Sequence, residues 1–306
     1  MKQRLKDIDF IKGILIILMV LFHLNHFFSK YPDLTKWIYT FHMPIFLIFS
    51  GYFFNFRKNF HDLWISFRSI LYPFLLFESI YYVGLASLGG IMGASNSTDL
   101  SLMSYLSTIF VDPIGTYWFL HTILICMAMF YLVYKIIKDF LPTIIISSSL
   151  LYLLANIISG LSWYNCLFFI IGIYIKDVCG DIKQIIRPTL FAIIPIILIG
   201  FSKYDNIFGR ISNSIMIISF LLALYGIIGK YTFTNILSFV GKNSLSIVVI
   251  SPFLTILTKP TVKYFMFDDS AIIWAFLSTI FVVTISIFIA FLINKICPKI
   301  LSYKKY

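Results

Sequence analysis

Charge is what this sequence has least of. Only 12% of its 306 residues are Asp, Glu, Lys or Arg, about half the fraction that a water-soluble domain carries. With 60% hydrophobic residues and a mean hydropathy of +0.93, that scarcity excludes an ordinary soluble enzyme. Alternation of apolar and polar residues is missing as well, which excludes a transmembrane β-barrel. Cysteine is scarce. Cys126, Cys166, Cys179 and Cys297 are the four, with no metal-ligand spacing, so they imply neither a metal site nor a disulfide framework. The first apolar run, Ile8–Phe28, holds His23, Asn25 and His26 and has no small-residue cleavage site after it. It reads as a retained span, not a signal peptide. No low-complexity linker, appended soluble domain or internal repeat is visible, and the lack of an inverted repeat disfavours common transporter architectures.

What remains is apolar length. Runs of roughly 18–22 residues recur, each able to cross a ~30 Å hydrocarbon core. The expected fold is an all-α polytopic membrane helix bundle of about ten transmembrane helices, forming one domain over residues 1–306 and embedded in the lipid bilayer of the cell membrane. The spans fall at 8–28, 37–54, 69–88, 116–134, 142–159, 162–175, 188–202, 211–229, 243–258 and 271–293; spans five and six are short, and an eight-span layout is the rival. With the N-terminus inside, the cytosolic segments hold all but six of the 24 Lys and Arg. The long outer loop over residues 89–115 holds none. This is the positive-inside bias, so the net charge of +11 reports topology, with both termini cytosolic, and not nucleic-acid binding.

Polar residues inside such a chain are functional candidates by default. In the first span Lys12 and His23 are eleven residues apart, which returns to within about 20° of the same helical face and separates them by roughly 16 Å. One stripe then carries a cation near the cytosol and an imidazole toward the outside. The plainer readings are a snorkelling Lys12 paired with Asp9 and a His23 bonded to a neighbouring helix. His23, His26, His42 and His121 all fall toward the outer side, a level suited to proton handling. Metal binding is disfavoured, because neither carboxylate nor cysteine joins them with ligand spacing. Glu78 lies near the middle of span three, and Arg68 at its cytosolic mouth suits a phosphorylated ligand. Pro44 can kink the second span, while Ser50 and Gly51 permit close helix approach.

These residues resemble the acyltransferase-3 family of integral-membrane acyltransferases, especially the short branch of sugar O-acetyltransferases. That family opens with Asp-x-x-Arg-Gly and a histidine late in the first span; here stand Asp9, Lys12, Gly13 and His23. Its span-two element is matched by Phe41-His42-Met43-Pro44-Ile45-Phe46 and then Ser50-Gly51-Tyr52. Arg68 with Pro73-Phe74, Trp118-Phe119-Leu120 and Gly241-Lys242-Asn243-Ser244-Leu245 complete the set. Three positions depart from the pattern. Lys12 replaces an arginine and loses its bidentate fork, Leu71 stands where a second span-three arginine is usual, and Ser251 stands where a histidine often closes the late element.

The resemblance implies transfer of an acyl group, acetyl by default with succinyl left open, from cytosolic acyl-CoA to a hydroxyl of a cell-surface or exported glycan. No permanent cofactor is implied; acyl-CoA is a co-substrate. Lys12 and Arg68 would meet its phosphates. His23 would act as general base or carry the acyl group transiently, with Glu78 as the second catalytic candidate. His42, His121 and Trp118 are the candidates for binding the carbohydrate acceptor. The competing reading is a glycan exporter or proton-coupled transporter, in which Glu78 and the outer histidines form a proton relay; a third is a non-catalytic sensor.

Overall fold

A computed structural model describes residues 5–88, 101–194, 206–297 and 300–301, and among them every regular element is a helix. In chain order these are α1 (Lys6–Leu21), α2 (Asn25–Phe28), α3 (Pro32–Tyr39), α4 (His42–Phe53), α5 (Phe60–Leu88), α6 (Leu102–Phe110) and α7 (Trp118–Ile137). They are followed by α8 (Phe140–Ala155), α9 (Trp163–Tyr174), α10 (Ile182–Ile185), α11 (Ile207–Ile228), α12 (Thr232–Lys242), α13 (Ser244–Thr258) and α14 (Ile272–Ile296). Among the described residues, five helical stretches are long and apolar enough to cross a membrane: Phe60–Ser87, Gly115–Ile137, Ile207–Ile228, Ser244–Phe265 and Ile272–Ile296. The chain is therefore an all-helical, multi-pass membrane protein. Most of the expected seventh span, and residues 89–100 of the outer loop, lie outside the described residues.

The first two expected spans are not single helices. The run over residues 8–28 breaks at Phe22–Leu24, and that over 37–54 breaks at Thr40–Phe41. The periodic stripe through Lys12 therefore ends with α1 at Leu21, and His23 is aimed by the turn instead. Pro44 falls in the first turn of α4, where its missing N–H leaves no bond unmade and it starts the helix without kinking it.

The chain divides into two compact units, one of Met1–Phe46, Cys179–Leu292 and Tyr303–Tyr306, the other of Leu47–Val178 and Ile293–Ser302. In the first, α1 packs chiefly on α12, and two glycines explain how closely. A Cβ on Gly13 would land on the Leu237 carbonyl oxygen, and one on Gly241 would land on that of Asp9. The helices thus cross backbone to backbone, the usual way small residues join helices in lipid. Phe10 packs against Tyr225 at 5.3 Å between ring centroids. Asp7 pairs with Lys183, whose ammonium it holds above the ordinary lysine range.

The second unit repeats the device with other residues. Gly51 of α4 would strike the Phe169 carbonyl of α9 if it carried a Cβ, and Gly172 would strike that of Ile48. At one end Phe56 meets Phe130 at 5.1 Å and Tyr134 at 4.6 Å. Next to it, Arg57 pairs with Asp177 in the π-helical turn Ile175–Cys179.

Candidate functional site

A helix that stops leaves its last carbonyls without intrahelical donors, and three histidines take up such carbonyls here. At the end of α1 the His23 backbone N–H turns to Val20 O at 3.1 Å. Its side chain instead meets Met19 O, with Nδ1 at 2.6 Å. A carbonyl only accepts, so Nδ1 carries the proton, and the neutral ring presents its lone pair at Nε2. His42 repeats the pattern, with Nδ1 2.9 Å from Ile38 O at the end of α3. Its ring is 1% exposed, and its Nε2 is buried without a hydrogen-bond partner.

Tyr39 stands between the two imidazoles. Its ring centroid lies 5.9 Å from that of His23 and 5.0 Å from that of His42, and its hydroxyl donates to Phe22 O at 3.1 Å. The two breaks in the expected spans are thus tied together, and both histidines are placed by them. His26 is turned away to an edge contact with Trp274, at 5.4 Å. Lys12, half-buried, lies on α1 of this unit with Asp9 buried one turn earlier.

One further residue belongs to this neighbourhood. Asn213 of α11 is 2% exposed, and its Nδ2 donates to Thr40 Oγ1 at 2.9 Å. In the sequence it falls inside the expected span at 211–229. The signal available was the cost of an amide in an apolar helix.

In the second unit Glu78 is fully buried. Its Oε1 accepts from the Ile114 backbone N–H at 2.6 Å, while Oε2 has no hydrogen-bond partner. The bond holds the loop between α6 and α7, which is also clasped where the Gly160 N–H donates to Val111 O at 2.8 Å. His121 Nε2 takes Phe110 O, the last carbonyl of α6, at 3.2 Å, and its Nδ1 is buried and unpartnered. The His121 ring lies 5.9 Å from that of Phe74, one turn before Glu78 on α5. Trp118, half-buried, opens α7, and Arg68 is exposed on α5.

The expected site residues therefore fall into two sets: Lys12, His23 and His42 in the first unit, and Arg68, Glu78, Trp118 and His121 in the second. Among the described residues no three His, Cys, Asp or Glu side chains are grouped so as to hold a metal ion.

A family model described as an acyltransferase domain, that of acyltransferase-3, matches residues 5–292 and so runs through both units. No curated protein and no solved structure matches the chain.

Proposed function

The chain belongs to the acyltransferase-3 family, and on that premise we propose that it is a membrane-embedded O-acyltransferase. It moves an acyl group, acetyl in the simplest case, from cytosolic acyl-CoA to a hydroxyl of a cell-surface or exported glycan, in the cell membrane. The observation that carries this reading is the Met19 carbonyl on His23 Nδ1, which leaves Nε2 as the lone pair a general base needs.

In the proposed step, Nε2 of His23 takes the proton of the acceptor hydroxyl as its oxygen attacks the thioester carbonyl. The new C–O ester bond forms, the C–S bond breaks, and the departing thiolate takes the proton back from the imidazolium, releasing free coenzyme A. Lys12 meets the donor phosphates, and Arg68 is assigned to them through the family resemblance. His42, His121 and Trp118 are assigned to the acceptor. Glu78, with one oxygen committed to Ile114, positions the loop that precedes α7.

The test is mass spectrometry of the surface glycan from a deletion strain complemented with wild type or with His23→Ala. Wild type restores the ester, and His23→Ala at equal abundance slows its formation by about 10²–10⁴-fold, the usual worth of a general base. A glycan equally acylated by the variant would remove His23 from the chemistry. A glycan reduced in amount but normally acylated would favour an exporter.

A further inference from the structure

Around His42 the hydrogen bonds can be assigned a direction, and the result is a small set of buried atoms that only a particular chemistry completes. Thr40 Oγ1 lies 2.6 Å from Trp37 O. That carbonyl cannot donate, so the hydroxyl proton is committed to it and Oγ1 is left as an acceptor. Asn213 must then present its NH₂ to Thr40, as the 2.9 Å contact from Nδ2 shows. The amide orientation is thereby fixed, and Oδ1 points elsewhere, buried and without a partner. The same reasoning at His42 places its proton on Nδ1 against Ile38 O and leaves Nε2 a buried lone pair. Two acceptor atoms, on residues 2% and 1% exposed, thus stand without donors at the two ends of a short connected stretch: Asn213 to Thr40, then two residues along the chain to His42.

Buried polar atoms in native proteins are nearly always satisfied, so both await a ligand that brings O–H or N–H groups. The thioester carbonyl and the ionised phosphates of an acyl-CoA offer lone pairs only and cannot complete either atom, while the hydroxyls and amides elsewhere on coenzyme A are separated from an acceptor polyol by the coenzyme A titration below. The same stretch holds one orphan donor, Trp37 Nε1, which an ammonium could not satisfy. A hydroxyl both donates and accepts, and it serves all three. We propose that Asn213 Oδ1 and His42 Nε2 receive two hydroxyl protons of a polyol, making this cluster of buried polar atoms the binding site for the sugar acceptor, with Asn213 as a binding residue alongside the expected His42.

The proposal rests on the O-acyltransferase reading, and its test separates the two. Asn213→Ala and Asn213→Asp are introduced into the full chain in the deletion strain, and the rate of glycan ester formation is measured per molecule of protein. The same proteins, purified in lipid nanodiscs, are titrated with coenzyme A itself, the part common to every acyl-CoA. Removal of the acceptor oxygen slows ester formation about two- to tenfold, the worth of one hydrogen bond to a neutral group, while coenzyme A affinity is unchanged. Asn213→Asp, which as the carboxylic acid keeps an oxygen at the Oδ1 position and an O–H for Thr40 Oγ1, recovers part of the rate and serves as the second reading if the alanine variant accumulates poorly. An alanine variant acylating at the wild-type rate, or losing coenzyme A affinity in step with acylation, overturns the acceptor site while the enzyme reading stands. Absence of glycan ester from the wild-type strain overturns both.

Discussion

Glu78 shows what a single residue's surroundings add to its identity. A carboxyl in the middle of an apolar run reads equally as acid, relay or helix contact. Its Oε1 is bonded to the Ile114 N–H at 2.6 Å, so half of the group is committed to holding a loop. Glu78→Gln keeps a carbonyl oxygen for that bond, whereas Glu78→Ala strands the part-buried Ile114 N–H at a cost of about 1 kcal/mol. The glutamine variant is therefore expected to acylate within a few-fold of wild type and to unfold at nearly the same temperature, while the alanine variant falls in both. Glutamine with normal unfolding but no acylation would return the carboxyl to the chemistry. The histidines divide similarly. That His23 and His42 matter was legible from the sequence, because imidazoles are rare in lipid-facing segments. Which nitrogen each presents was not, since Met19 O and Ile38 O become available only where their helices stop. The role of Asn213 is not legible in the sequence, because its partner is Thr40, 173 positions away.

At the level of elements, hydropathy located the apolar segments but concealed their interruptions. Residues 8–28 and 37–54 are apolar enough to be read as unbroken spans. Yet α1 ends at Leu21 and α4 begins at His42, because the side chains at the breaks supply the bonds that the backbone gives up. Tyr39 on Phe22 O and His23 on Met19 O are examples. The glycine motifs were legible as close-packing signals, though not in their pairing. Gly13 belongs with Gly241 in one unit, and Gly51 with Gly172 in the other. This pairing makes a sharp prediction. Gly241→Ala puts a methyl on the Asp9 carbonyl, a backbone atom that no side-chain rotation can move. Overpacking of this kind costs about 1–3 kcal/mol, outweighing a helix-propensity gain of about 1 kcal/mol or less. Gly226→Ala in α11 meets nothing within 4 Å and keeps the propensity gain alone. Thermal unfolding in detergent should therefore fall for the first variant and hold or rise for the second. Equal shifts in both would show that the α1–α12 crossing does not set stability.

For the molecule as a whole, charge bias and helix length inform different things. Of the described helical stretches, five have the length and composition to cross a membrane by themselves. A helix such as α1, with 16 residues, rises only about 24 Å, so the proposed ten-span layout needs broken helices to cross in pieces joined by turns. The proposed orientation rests on the ten-span layout, which puts all but six of the 24 Lys and Arg on the cytosolic side. The protein carries its own reporters for that orientation. Cys126 and Cys166 are buried, Cys179 is half-buried and Cys297 is exposed, and the proposed layout puts the last two on the cytosolic side. A membrane-impermeant maleimide applied to intact cells should leave both unmodified and should label them once the membrane is opened. A cysteine introduced at Lys259, in the turn Lys259–Phe265 between α13 and α14, should react in intact cells. Modification of Cys297 in intact cells would place the C-terminal end outside and require an odd number of crossings if the N-terminus is inside. Modification of Cys179 alone would move the α9–α10 connection outside, which removes one crossing before it and one after it and yields eight crossings, a different arrangement from the one that loses the short spans five and six and keeps Cys179 cytosolic. That outcome would leave His23 and His42 within the same unit but change the chain segments facing the acceptor, because residues 176–187 would then join the outer surface.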